Sequence, residues 1–173
     1  MAGVNSGYGT GMDAALLEPF TAGLNYPMFV LTVGPLAQAR PSGCLVGFAT
    51  QCSISPARFL LCVSKKNHTF RAMEGAQYVG VHLLGADQRE LARLFGTETG
   101  DETDKFERCP WTVGPQGVPI LDGCVSWFVG SIERWMDLGD HAGVLLNPVQ
   151  AGGGPGTPLM SASVSDFDAG HEA

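Results

Sequence analysis

The sequence predicts a mainly β protein, an antiparallel β-barrel that is closed or split and carries a few short helices. Apolar runs of strand length recur along the chain, and turn residues separate them, among 24 glycines and 11 prolines. Strands do not alternate with long helical patterns, so a parallel βαβ arrangement is not indicated. With 173 residues, 45% of them hydrophobic, the chain is long enough to bury the core of one domain.

Eight segments have the apolar composition or the alternation of strands. They cover residues 26–33, 44–50, 58–64, 78–84, 118–121, 124–135, 141–149 and, as a last edge strand, 158–162. His82 falls inside one of these runs, and we interpret it as a hydrogen-bonded core or interface histidine. The glycine-rich residues 1–12 are expected to form a flexible tail, 13–162 a single domain, and the acidic residues 163–173 a second flexible tail.

The clearest helix is predicted over residues 87–95. Asp87 can cap it, Glu90 follows at capping-box spacing, and Leu91, Leu94 and Phe95 share one face, with Gly96 as the stop signal. Shorter helices are expected within 13–24, interrupted at a proline, and over the segment that ends at residue 75. The sequence around residues 104–106 favours a loop or a short helix.

Composition excludes several classes of function. A net charge of −7 argues against a nucleic-acid binder, and no apolar run is long enough to cross a bilayer. The five cysteines are odd in number and lack CxxC spacing, which favours reduced thiols and a cytoplasmic protein. The four histidines lack metal-ligand spacing, so no metal site is expected. The glycine-rich stretch 7–11 follows no strand and carries no P-loop lysine, so we interpret it as part of the tail.

Two polar segments are the candidates for binding a ligand. Residues 50–53, read as a turn between two strands, can present hydroxyl, amide and backbone N–H groups to a flat polar ring. The loop that follows the second strand offers two ammonium groups and a helix start, which favour a phosphate. Its residues are Ser64, Lys65, Lys66, Asn67, His68 and Thr69. An ordinary hairpin with a solvated basic loop is the other interpretation.

A third candidate is the turn Gly139-Asp140-His141 between two predicted strands. Gly139 can adopt a positive φ, Asp140 can close the turn through its side chain, and His141 begins the next strand. The alternative is a plain β-turn with an incidental histidine. No serine lies in a nucleophile elbow, so the sequence indicates no Ser-His-Asp arrangement.

Taken in order, these pieces resemble the flavin reductase-like family, which has the FMN-binding split barrel. The resemblance runs from about residue 19 to residue 158. The motifs that carry it are Phe48-Ala49-Thr50-Gln51-Cys52-Ser53, Ser55-Pro56, the 64–69 loop, Leu91-Ala92-Arg93-Leu94-Phe95-Gly96, Asp104-Lys105-Phe106, Leu121-Asp122-Gly123 and Gly139-Asp140-His141. Two departures stand out: Pro56 is followed by Ala57 where the family often has a second proline, and Pro158-Leu159 continues into Met160 rather than into an aromatic residue and a glycine.

The resemblance implies a homodimer that binds FMN, or FAD, near the subunit interface and reduces it with NADH or NADPH. A flavin-dependent monooxygenase is the implied recipient of the reduced flavin. Ala49, Thr50, Gln51, Cys52 and Ser53 would line the isoalloxazine ring, and the 64–69 loop would receive the phosphate. Phe95 and Gly96 would lie close to the cofactor, and His141, the implied catalytic residue, would face flavin and nicotinamide.

Two other functions fit the same barrel. One is an FMN-dependent oxidoreductase acting on a dedicated organic substrate, and the other is a non-catalytic module that binds flavin or haem. The residues leave open the choices of FMN or FAD and of NADH or NADPH. Because the cofactor performs hydride chemistry itself, the absence of a recognisable catalytic dyad fits all the flavin-based functions.

Overall fold

The computed structural model describes residues 14–34, 40–168 and 170. Within these ranges the strands are β1 Phe29–Val33, β2 Ser42–Val46, β3 Ala49–Ile54, β4 Ala57–Ser64, β5 Tyr78–Leu83, β6 Trp111–Val113, β7 Pro119–Leu121, β8 Ser126–Asp137 and β9 His141–Gly153. The α-helices are α1 Glu18–Thr21, α2 His68–Ala72 and α3 Arg89–Thr97, and single 3₁₀ turns occur at Ala14–Leu16, Lys105–Glu107, Pro115–Gly117 and Ser161–Val164. The tail predicted over residues 1–12 lies outside the described residues.

Seven strands form one antiparallel sheet in the order β2-β1-β5-β8-β9-β4-β3. The two end strands, β2 and β3, are separated in the chain by Gly47 and Phe48 alone. This short link holds the two ends of the sheet together, so the sheet must curve into a barrel. The prediction of a mainly β, split antiparallel barrel is confirmed. Strands β6 and β7 form a separate two-stranded sheet.

The longest strand pair is β8–β9, whose pairing extends from Ser126 opposite Gly153 to Asp137 opposite Ala142. Two register shifts interrupt the pairing, and such bulges increase the local twist of a hairpin. The hairpin closes at Gly139, whose φ of +106° lies in the region that glycine adopts without strain. The turn therefore places His141 at the first position of β9, directly opposite Ser64 of β4.

The core has two main parts. One fills the barrel and includes Leu31, Val63, Val79 and Leu146. The other lies under α3, whose buried residues are Ala92, Leu94 and Phe95. Because α3 packs its apolar stripe against the barrel wall, its C-terminal end is fixed beside β2. No helix within the described ranges has the length and hydropathy that a membrane crossing requires.

His82 is fully buried in β5, as the sequence indicated for a core histidine. Its Nδ1 lies 3.1 Å from the carbonyl oxygen of Val30, and its Nε2 accepts a hydrogen bond of 3.2 Å from the backbone N–H of Leu121. The first contact requires a proton on Nδ1 and the second a lone pair on Nε2, so the ring is a neutral tautomer. Burial lowers the pKa of His82 to about 4.

The helix boundaries differ from the prediction at both ends of α3. The helix begins at Arg89, and Asp87 does not cap it; instead the Gln88 side chain accepts a hydrogen bond from the N–H of Gly85. Gly96 lies inside the helix rather than ending it. A Cβ at Gly96 would stand 2.9 Å from Cδ2 of Leu45, so this glycine permits close packing of α3 on β2.

Two further strand predictions are corrected. The strand predicted over 44–50 is divided between β2 and β3, and residues 50–53 belong to β3, with the turn displaced to Ser55 and Pro56. The last edge strand is reduced to single bridges at Pro158 and Met160, followed by a 3₁₀ turn. Within the tail predicted from residue 163, the 3₁₀ turn Ser161–Val164 places Val164 in the second core.

Candidate active site

A cleft of about 290 Å³ opens where the C-terminal ends of β2 and β4 meet the first residue of β9 and the end of α3. Aromatic and aliphatic side chains form much of its wall, and a few polar groups lie on the side of β4 and β9. The residues around it are Tyr26, Met28, Cys44, Leu45, Val46, Gly47, Phe48, Cys62, Val63, Ser64, Asn67, Phe95, Gly96, His141, Val164 and Phe167. An apolar wall with few, localised polar groups is typical of a small-molecule site.

The cleft brings together five of the residues that the sequence singled out. They come from three segments distant in the chain: Ser64 and Asn67 from the loop after β4, Phe95 and Gly96 from α3, and His141 from the start of β9. Pairing of β4 with β9 sets Ser64 opposite His141, and packing of α3 on β2 supplies the facing wall. The barrel topology thus assembles one site from three separate sequence signals.

His141 has a fixed orientation in this cleft. Its Nδ1–H donates to Oδ1 of Asp140 at 2.9 Å, and its ring centroid lies 5.6 Å from that of Phe48. The hydrogen bond from His141 holds the pKa of the Asp140 carboxyl below its usual value. Among the described residues, Nε2 of His141 has no hydrogen-bond partner, which leaves this atom available to a ligand in the cleft.

Neither lysine of the 64–69 loop is among the residues that line the cleft. Lys65 Nζ donates to Oδ1 of Asp137 at 2.6 Å, which lowers the pKa of that carboxyl. Lys66 is exposed, and its backbone N–H reaches Oγ of Ser64 at 3.3 Å. Asn67 is the N-cap of α2, because its side-chain oxygen accepts from the N–H of Thr69. The predicted helix start in this loop is therefore present. One of the two lysines of the loop, Lys65, forms an ion pair with the β8–β9 hairpin.

His68 and Thr69 face a different part of the molecule. Ser42 Oγ lies 3.0 Å from both Nδ1 of His68 and Oγ1 of Thr69, so these side chains fasten α2 to β2. His68 lines a separate cavity of about 240 Å³ together with Asp101. Burial lowers the pKa of His68, although the Asp101 carboxylate opposes the shift. The structure thus divides the 64–69 loop between the cleft and a structural hydrogen-bond network.

Residues 50–53 also lie outside the cleft. They form the middle of β3, an edge strand of the sheet, and are exposed or half-buried there. Thr50 Oγ1 donates to the carbonyl of Gln51, and Gln51 Nε2 donates to that of Ser53. Ala49 packs against the barrel core. The turn interpretation failed because a β-bulge at Gln51 and Ser53 lets a polar sequence remain paired with β4.

Lys105, from the Asp104-Lys105-Phe106 motif, is the buried cation behind the cleft. Its Nζ donates to the carbonyl oxygens of Gly43 and Phe95, each at 3.2 Å. Burial lowers the pKa of this ammonium group. Because the two carbonyls belong to β2 and α3, Lys105 ties together the two elements between which the cleft opens.

Sequence reasoning missed the aromatic side chains of Tyr26, Phe48 and Phe167 as members of the site. Phe48 begins one of the motifs that carry the family resemblance, but no ligand contact was predicted for it. Phe167 lies in the segment that was expected to form a flexible tail. A sequence pattern could have identified Phe167: Val164 and Phe167 are three residues apart and can therefore share one face of a helical turn. That pattern indicates a segment that docks on the domain.

Comparison with known proteins agrees with this geometry. The model of the flavin reductase like domain matches residues 21–162. The chain belongs to the flavin reductase-like family. Over 103 residues it is 34% identical to the reductase subunit HsaB of a flavin-dependent monooxygenase from Rhodococcus jostii, a match that covers 57% of this chain and 51% of that protein.

Two other relatives of this family are similar over more of their length. The FMN reductase (NADH) SmoA of Agrobacterium fabrum is 27% identical over 143 residues, covering 83% of this chain and 76% of its own. The solved Streptomyces globisporus NADH:FAD oxidoreductase in complex with NAD and FAD fragments is 25% identical, with a TM-score of 0.75 and coverage of 92% and 90%. The chain spans about half the length of the first curated relatives it matches.

Proposed function

We propose that the chain is an NAD(P)H-dependent flavin reductase that binds FMN or FAD in the cleft and passes reduced flavin to a flavin-dependent monooxygenase. The observation that carries the proposal is the position of His141 in the cleft, with Nδ1 held by Asp140 and Nε2 available. Family membership and the activities in the relatives' names, a monooxygenase reductase subunit and an FMN reductase (NADH), support the same conclusion.

The residues of the cleft fit a flavin. An isoalloxazine ring is flat and largely apolar, with hydrogen-bonding atoms on its edge, and the cleft offers aromatic side chains such as Tyr26 and Phe48 together with Ser64 and Asn67. Gly47 permits the aromatic wall, because a Cβ there would stand 2.6 Å from Cε2 of Tyr26. The bound flavin supplies the redox chemistry by accepting a hydride and later giving up two electrons.

The protein residues orient and shield this reaction. In this proposal Nε2 of His141 hydrogen-bonds the carboxamide of a nicotinamide and holds that ring against the flavin. Asp140 fixes the imidazole tautomer by accepting from Nδ1. The apolar side chains exclude water, which protects the hydride donor from competing reactions. No strong general base is required, in agreement with the composition of the cleft.

The proposed phosphate end of the cofactor is the 64–69 loop. Ser64 and Asn67 line the cleft, and Lys66 lies between them in the chain at an exposed position. Lys65 can contribute only in competition with Asp137, whose carboxylate it contacts at 2.6 Å. The electrostatic attraction for phosphate is therefore weaker than two unpaired lysines would provide.

We further propose that the active unit is a homodimer and that the cleft is completed by the second subunit. Its volume of about 290 Å³ is at the lower limit of pockets that enclose a drug-sized ligand. Phe48 is 57% exposed at the cleft, and Ile54 is 85% exposed at the end of edge strand β3. An edge strand has unpaired backbone N–H and C=O groups, and an exposed apolar residue at its end further favours coverage by another chain. Residues 50–53 would then meet a flavin held by the partner subunit.

A cytoplasmic location is proposed because the five cysteines are free thiols, which a reducing compartment maintains.

Turnover of the reduced nicotinamide tests the proposed reductase activity. NADH and NADPH oxidation is followed with no flavin, with FMN and with FAD, and with cytochrome c as the acceptor of electrons from released flavin. We expect oxidation that saturates with free flavin. A flavin that stays bound and is never reduced by either nucleotide would contradict the reductase and favour a binding module.

A further inference from the structure

The segment 163–168, named here the C-terminal strap, lies beyond the part of the chain that matches the family model, which ends at residue 162. It begins within the 3₁₀ turn Ser161–Val164 and packs along α3. Val164 is buried in the core under α3, and Phe167 packs against the same cluster. The strap thus packs on the domain beyond the end of that match.

Two arginines hold the strap against α3. Arg89 and Arg93 are four residues apart and therefore lie on one face of the helix. Arg89 Nη2 is 2.6 Å from Oδ1 of Asp166, Arg93 Nη2 is 3.8 Å from Oδ2, and Arg89 Nε donates to the carbonyl of Ser163 at 2.9 Å. The hydrogen bond from Arg89 lowers the pKa of Asp166. These contacts hold the strap against α3 at Ser163 and Asp166.

The same arginines fix the ring of Phe167. Their guanidinium carbons lie 4.8 Å and 4.5 Å from its centroid, within the range of cation–π contacts. Phe167 and Val164 line the cleft that contains Ser64, Asn67 and His141. An aromatic ring held by two cations therefore forms part of the wall that a ligand in the cleft must contact.

We propose that Phe167 is a specificity-determining residue of the flavin site and that the strap closes one side of the cleft over the isoalloxazine ring. The inference rests on the proposed function for the identity of that ring. Stacking of an aromatic side chain on a heterocycle requires a planar π-face but no phosphate. Phe167 therefore selects for the ring, whereas the 64–69 loop selects for the phosphate.

The test is a titration of the chain with FMN and with riboflavin in the absence of nucleotide, followed by flavin fluorescence. In Phe167→Ala both ligands should bind roughly tenfold more weakly, the scale of one lost aromatic stack. Phe167→Tyr should stay within about twofold of the parent, and Phe167→Leu should resemble Ala because it keeps apolar volume without a π-face. Phe20→Ala, which removes an exposed ring outside the cleft, is the matched control.

Asp166→Asn provides a second variant that leaves the cleft wall intact but weakens the contacts of Arg89 and Arg93 with the strap. It should raise the flavin KM by roughly threefold without changing kcat, because a looser strap affects binding rather than hydride transfer. If Phe167→Leu binds both flavins as the parent does, Phe167 is a packing residue and the inference is wrong. A parent that oxidises neither NADH nor NADPH with any flavin contradicts the proposed function instead, and a parent that binds no flavin contradicts both.

Discussion

His141 at the start of β9 lies directly opposite Ser64 at the end of β4, and both side chains reach the same cleft. In sequence they are 77 positions apart, since 141 − 64 = 77. The β4–β9 pairing thus joins the loop proposed for the phosphate to the histidine proposed for the nicotinamide. Substitutions in the loop and at the histidine therefore separate these two roles.

His141→Ala should slow the reduction of bound flavin by NAD(P)H by roughly 10- to 100-fold, the scale of one or two lost hydrogen bonds. Flavin affinity should change little, because the imidazole contacts the nicotinamide in this proposal. Anaerobic stopped-flow reduction measures the rate, and a separate titration measures affinity. Asp140→Asn should give a smaller loss, since it disturbs the orientation of the ring but keeps Nε2. Reduction at the parental rate in His141→Ala would assign the histidine to the turn alone.

The lysine pair is expected to bind the phosphate of FMN. The double variant Lys65→Ala/Lys66→Ala should bind FMN roughly tenfold more weakly and riboflavin as well as the parent does. Asp137→Asn should have the opposite effect, with roughly twofold tighter FMN binding, because it frees Lys65 and removes a negative charge near the phosphate. Isothermal titration with both ligands at two salt concentrations measures these changes. Equal weakening of FMN and riboflavin would mean that the lysines act through the fold.

The dimer proposal predicts that a charge on β3 breaks the assembly. Ile54→Asp should convert the chain to a monomer at low micromolar concentration, as measured by light scattering, because obligate interfaces of roughly 2,000 Å² or more exclude an unpaired charge. Val113→Asp, at an exposed position of the separate β6–β7 sheet, is the control and should leave the mass unchanged. A parent that is a stable monomer and still binds flavin would disprove the proposal.

His82 predicts how stability depends on pH. Its folded pKa of about 4 lies below the unfolded value of 6.5, so the unfolded chain binds the extra proton between these values. The contribution of neutral His82 to the free energy of unfolding is therefore fully present above about pH 6.5. It is lost as the pH falls toward 4, and the loss is about 3 kcal/mol at most. Urea unfolding across this range measures it. His82→Gln should be less stable at pH 7 but should show a shallower decline, and an unchanged pH profile would exclude His82 as its source.

The outcome at particular residues explains what could be anticipated from sequence. His82 was assigned correctly because it sits within an apolar strand, where a polar group must be hydrogen-bonded. The start of α2 was found because Asn67 is a strong N-cap residue. Residues 50–53 were misread because small polar residues are typical of turns, and a bulge in an edge strand has no clear local signature.

The sequence by itself determined the β class, the position of most strands and the family motifs, because alternation, turn residues and caps act between neighbours in the chain. Only the tertiary structure decided which polar groups share the cleft. Pairing of Lys65 with Asp137, the turning of His68 toward Ser42, and the docking of Phe167 on α3 each join residues far apart in sequence. Such contacts depend on strand register and helix packing, which no local pattern encodes.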